Sequence, residues 1–170
     1  MMNKRRIAII AMVFVAVLVA LTINGCGSKD DQPVSMGELD KLEMLALDGT
    51  KLEFTKSDLR GSLIAVVYNP GCDHCQTQAQ EFYQNMDKLE DVTIIMIGSV
   101  PMDELKDFSE KYGLKNFKNV KFAYASPVNT FNLLRVYDLP HMRLYNKELL
   151  PIREFTSTTS VDHILSFVKK

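Results

Sequence analysis

Tryptophan is absent from the 170 residues and cysteine occurs only three times. So few cysteines exclude a small disulfide-stapled scaffold, which uses several bridges in place of a core. There is no long run of Lys or Arg, and the formal net charge is only -1. Nucleic-acid binding needs clustered cations to neutralise phosphates, so no nucleic-acid partner is expected. Lys115, Lys118 and Lys121 read as a solvated surface. Internal repeats and low-complexity tracts are also missing. What is there is a hydrophobic share of 46%, too high for a disordered chain, and a length that fits one domain plus a short extra segment.

The extra segment lies at the start. Lys4, Arg5 and Arg6 precede an unbroken apolar run from Ile7 to Ile23, which ends at Asn24, Gly25 and Cys26. A positive start, an apolar middle and a small-residue end form the layout of an export signal. The run is nearly long enough to cross a bilayer, so a retained anchor is the competing reading. Ile23-Asn24-Gly25-Cys26 resembles the bacterial lipobox, whose cysteine is lipidated and becomes the mature N-terminus. This resemblance implies a signal peptide over residues 1–25, lipidation at Cys26, and a membrane-anchored domain at the bacterial cell envelope, facing the periplasm or the outside. Residues 26–37 are small and polar with no apolar period, as expected of a flexible tether, which leaves residues 38–170 for the folded domain.

Within that domain, two-residue alternation from Leu42, the Asp48-Gly49 turn, and then Leu52 and Phe54 predict an N-terminal β-hairpin. Residues 55–59 allow one helical turn ending at Gly61. The continuous apolar run from Leu63 to Tyr68 suits a strand buried on both faces, as does that from Val92 to Ile97. Ala79, Phe82, Met86 and Leu89 recur at helical spacing after Cys75, and Leu105, Phe108 and Tyr112 do so before Gly113. A strand over 120–124, a helix over 127–136, a strand pair over 141–145 and 152–155, and a last helix capped by Ser160 complete the chain. Alternating strands and helices closing on a hairpin and a helix give an α/β protein with a mixed sheet covered on both faces.

Assigning Cys26 to a lipid leaves Cys72 and Cys75, two residues apart, between a strand and a helix. In an exported domain such a pair is unlikely to rest as two idle thiols. Cys72, at the helix start, faces unpaired N–H groups and the positive end of the macrodipole, which favour a thiolate. Cys75, a turn further in, is shielded. Cys72 is therefore the expected attacking sulfur and Cys75 the resolving one. An imidazolium at His74 adds to that thiolate preference, whereas Asp73 opposes it; both residues also suit a plain solvated helix start.

The segment Tyr68-Asn69-Pro70-Gly71-Cys72-Asp73-His74-Cys75 resembles the thioredoxin superfamily, in particular its TlpA/ResA-like and redoxin-type envelope branch. The resemblance runs from about Glu38 to the end. It implies a thioredoxin-like three-layer sandwich and thiol-disulfide oxidoreductase activity on protein thiols or disulfides, with a membrane electron-transfer partner and no cofactor or resident metal. It also implies that Leu139-Pro140 is the superfamily's cis-proline site, with Pro140 packed against the redox pair and the backbone of Leu139 open to an extended substrate. Gly71 stands where the family usually has tryptophan, and Val66 where minimal thioredoxins carry a buried acid. Proton transfer at Cys75 then needs another group or water. His141, where threonine is common, is a candidate, against the alternative of a structural histidine; His163 reads as surface.

Two rivals share the fold or the ligands. A peroxiredoxin needs a hydroxyl residue near its reactive cysteine, which neither residue beside Cys72 supplies. A copper, other metal or haem chaperone would draw on Cys72, Cys75, His74 and His141. The two-cysteine spacing occurs once, without the second pair of a structural zinc site.

Overall fold

The computed structural model describes residues 37–168; the export signal, Cys26 and the tether up to residue 36 lie outside the described residues. Gly37, assigned to the tether from the sequence, opens a 3-10 turn over Gly37–Lys41 that buries Leu39. Six strands follow: β1 (Met44–Ala46), β2 (Ser62–Tyr68), β3 (Val92–Gly98), β4 (Val120–Ala125), β5 (His141–Tyr145) and β6 (Pro151–Phe155). The helices are α1 (Asp73–Gln84), α2 (Met102–Lys111), α3 (Pro127–Leu134) and α4 (Val161–Leu165). The strands form one sheet in the order β1-β4-β3-β2-β5-β6. β2, β3 and β4 are parallel, while β1, β5 and β6 run antiparallel to their neighbours.

The apolar runs explain the centre. Every residue of β2 and β3 is buried, as strands covered on both faces must be. Alternate β2 residues divide between two cores. Ile64, Val66 and Tyr68 pack with Cys75, Ala79 and Phe82 of α1, Leu105 and Phe108 of α2, and Val161 and Ile164 of α4. Leu63, Ala65 and Val67 pack with Leu134 of α3 and with Leu39 and Leu42 of the entering segment. The result is an α/β three-layer sandwich, thioredoxin-like in its mixed sheet and helical layers.

The predicted hairpin forms its turn but not a second full strand. The Ala46 N–H donates to the Thr50 carbonyl at 2.8 Å and the Leu52 N–H to the Met44 carbonyl at 2.9 Å. Asp48 caps the turn by accepting from the Thr50 N–H and hydroxyl. The returning arm bridges only at Lys51, because Lys51 and Glu53 point to water, while β1 spends its other edge on β4. Helix α1 is shorter than its apolar period suggests. It ends at Gln84, and Met86–Leu89 continue as a 3-10 turn that still buries Met86 and Leu89. Asn119 closes that turn by donating to the Leu89 and Val92 carbonyls, both at 2.9 Å.

Candidate active site

Strand β2 ends at Tyr68, and the next four residues reverse the chain into α1. Asn69 organises the reversal twice. Its carbonyl accepts from the Cys72 N–H at 3.0 Å, and its side-chain oxygen accepts from the Gly71 N–H at 2.8 Å. Gly71 fits because a Cβ there would press to 3.3 Å against that same oxygen. The Gln76 side chain donates to the Pro70 carbonyl at 2.9 Å, tying the turn to the first helical turn.

Cys72 is the N-cap residue of α1, with an extended backbone and no side chain capping the helix. The N-cap side chain thus leaves the first N–H groups of the helix uncapped. Cys72 is half-buried, Cys75 is only 1% exposed, and both are free thiols. Burial pushes the Cys75 thiol up to about 12, and the neighbouring Cys72 sulfur adds to this while the Asn69 backbone opposes it. The two cysteines thus differ as the spacing predicted: one reachable at the helix mouth, one protonated and enclosed.

The Leu139-Pro140 peptide is cis. It brings the Leu139 carbonyl to the Cys72 Sγ, which donates to it at 3.7 Å across 67 residues of chain. Leu139 packs against both cores, at the end of the sheet where its two faces meet. The carbonyl that meets Cys72 thus belongs to the cis bond, and Pro140 itself is buried.

The remaining candidates divide. His74 and Asp73 are exposed on the first turn of α1, and the His74 carbonyl accepts from the Thr158 hydroxyl at 3.2 Å. His141 does not join the cysteines. It pairs with Val67, which faces the α3 side, whereas Cys75 lies in the core on the α1 side. The charges that reach it are Glu154, Arg143 and Asp138; burial lowers its pKa, and neither ring nitrogen has a hydrogen-bond partner. It is the structural alternative that holds. His163 is exposed, as read, and packs edge-on against Phe155 and Phe167.

Val66 is fully buried in the same core as Cys75 and pairs with Met142 of β5, so no carboxylate occupies that place. The polar atom that stands out there is the Tyr68 hydroxyl, buried with no hydrogen-bond partner. Burial first, and the Cys75 charge second, raise its pKa. Sequence reasoning missed it, because Tyr68 closes an apolar run and its hydroxyl leaves no pattern. Among the described residues no group of three or more His, Cys, Asp or Glu side chains is arranged to hold a metal.

No protein-family model and no curated protein matches the chain. Solved structures resemble it in fold. A secreted Mycobacterium tuberculosis disulfide oxidoreductase homologous to E. coli DsbE shares 17% identity at a TM-score of 0.58, over 75% of this chain and 93% of that one. M. tuberculosis DsbF, in mixed oxidised and reduced forms, shares 17% at 0.61, over 79% and 98%. Arabidopsis thaliana ScoI with copper bound shares 14% at 0.58, over 74% and 91%.

Proposed function

From this thioredoxin-like fold, with one reachable and one enclosed cysteine at a helix start, we propose that the protein is a thiol-disulfide oxidoreductase acting on protein thiols through Cys72 and Cys75. The observation that carries the reading is the inequality of the two sulfurs beside a cis-proline. Disulfide oxidoreductases among the solved structures of this fold support it.

In the reducing direction, the Cys72 thiolate attacks one sulfur of a substrate disulfide. The substrate's S–S bond breaks, a mixed disulfide forms, and the departing substrate thiolate takes a proton. Cys75 then gives up its proton to water and its thiolate attacks the Cys72 sulfur. The second substrate thiolate leaves and is protonated, the Cys72–Cys75 disulfide is formed, and two electrons have passed to the substrate. Oxidation of a substrate dithiol is the reverse. Burial of Cys75 keeps it protonated until the mixed disulfide has formed, which separates the two steps in time.

The setting we propose is the bacterial envelope, with Cys26 lipidated and a membrane partner exchanging electrons with the pair. The support is the order of Lys4 to Arg6, the apolar run and the lipobox-like Ile23-Asn24-Gly25-Cys26. The deciding experiment equilibrates the domain with glutathione or dithiothreitol buffers and follows the pair by thiol titration. A two-electron couple lost in both Cys72→Ser and Cys75→Ser is expected. A potential near about -270 mV marks a reductase and one near about -120 mV an oxidant. Disulfide exchange that persists in the double variant would refute the function.

A further inference from the structure

On the α3 side of the sheet's end lies a cavity of about 220 Å³ whose wall includes Val67, Ser99, Thr130, Phe131, Tyr137 and Leu139. Phe131 is 50% and Tyr137 76% exposed, and their rings meet edge to face with centroids 5.5 Å apart. Two large aromatic side chains left in water around a concavity are an uncovered apolar surface of the kind that receives a ligand. The Thr130 hydroxyl donates to the Ser126 carbonyl at 2.9 Å and accepts from the Ser99 hydroxyl at 3.4 Å, so both are engaged within the wall, whose other residues are mostly apolar.

Leu139 joins this cavity to the sulfur chemistry. Its carbonyl accepts from Cys72, and the same residue lines the cavity. A substrate segment laid in extended form along Leu139 sends successive side chains to opposite sides. When its cysteine turns to Cys72 on the α1 side, the residue next to that cysteine turns to the α3 side, where the cavity opens. A residue two positions away turns back with the cysteine and misses it.

We infer that the cavity receives an aromatic or large aliphatic side chain immediately adjacent to the substrate's reactive cysteine, with Phe131 and Tyr137 as specificity-determining residues. The inference rests on the proposed disulfide exchange with protein thiols. It adds to it a sequence preference that the sulfur atoms alone do not impose.

The test uses peptides of Gly and Ser with one cysteine held as a mixed disulfide with glutathione. A single Phe is moved through the two positions on either side of that cysteine. The reduced protein is expected to release glutathione with a kcat/KM about tenfold higher when Phe is adjacent, on one side or the other, than when it is two residues away, as for burial of part of one aromatic side chain. In Phe131→Ser/Tyr137→Ser that ratio falls toward one. A purely structural role for the pair would slow all peptides alike and keep the ratio, and that result overturns the inference. So does a parent protein that shows no positional preference, including one in which the aromatic pair instead holds two copies together in sedimentation. Failure to act on any peptide overturns the oxidoreductase reading itself, and the inference with it.

Discussion

Raising the pH of the reduced protein from 8 to 10 tests the enclosure of Cys75 directly. Burial moves that thiol from 9.0, the value for a solvated cysteine, to about 12. A group whose pKa is raised by folding stabilises the fold fully below its unfolded pKa and loses that contribution as the pH climbs to the folded one. The whole effect is about 4 kcal/mol, spread between about pH 9 and pH 12. By pH 10 about 1 to 2 kcal/mol of it is gone, whereas at pH 8 almost none is. Urea denaturation under dithiothreitol at the two pH values measures the loss, and Cys75→Ala supplies the reference because it keeps Cys72, Tyr68 and every other titrating group. The parent is expected to lose about 1 to 2 kcal/mol more than the variant, at an unchanged m-value. Equal losses in the two proteins would mean that Cys75 titrates as though solvated, and the account of a protonated, waiting second thiol would fall.

Val66→Asp places a carboxylate in the core that holds Cys75, at a fully buried position. It should cost about 2 to 5 kcal/mol in denaturation while speeding resolution of a mixed disulfide at neutral pH in stopped-flow; an unchanged rate would show that proton removal from Cys75 is not limiting. Gly61 has φ +56° and a Cβ there would lie 2.2 Å from the Asp91 carbonyl oxygen, so Gly61→Ala should cost at least about 2 kcal/mol, and an unaltered Tm would refute the geometry. Arg143 is paired with Glu38 and Glu154 and donates to the Leu134 carbonyl, so Arg143→Met should cost about 1 to 3 kcal/mol and speed amide exchange at Leu42, which a local unfastening of the entering segment requires.

The core elements were legible wherever one physical signal dominated. The runs at Leu63 to Tyr68 and Val92 to Ile97 have no use except a strand covered on both faces, and they became β2 and β3. Ser160 caps α4 by accepting from the His163 N–H, the local chemistry a helix start demands. Ends were harder to read. The period carrying Met86 and Leu89 persists while the backbone changes to a 3-10 turn, because burial of a face does not reveal how tightly the chain is wound. In the site, the spacing of Cys72 and Cys75 and the place of Pro140 came from the chain itself and its family resemblance. The side of the sheet on which His141 falls depends on strand register, which a single histidine after a proline does not encode. The Phe131 and Tyr137 cavity went unseen for a related reason: its walls come from four separate stretches of chain.

The ion pair between Glu38 and Arg143 fastens the first described turn to the strand that starts directly after Pro140. Anyone preparing a shortened version for the bench must therefore choose the starting residue with care. A truncation beginning at Leu39 would strip a mostly enclosed guanidinium of one of its two counter-charges, and would loosen the footing of the very loop that flanks the reactive sulfur. Beginning a few residues earlier preserves both.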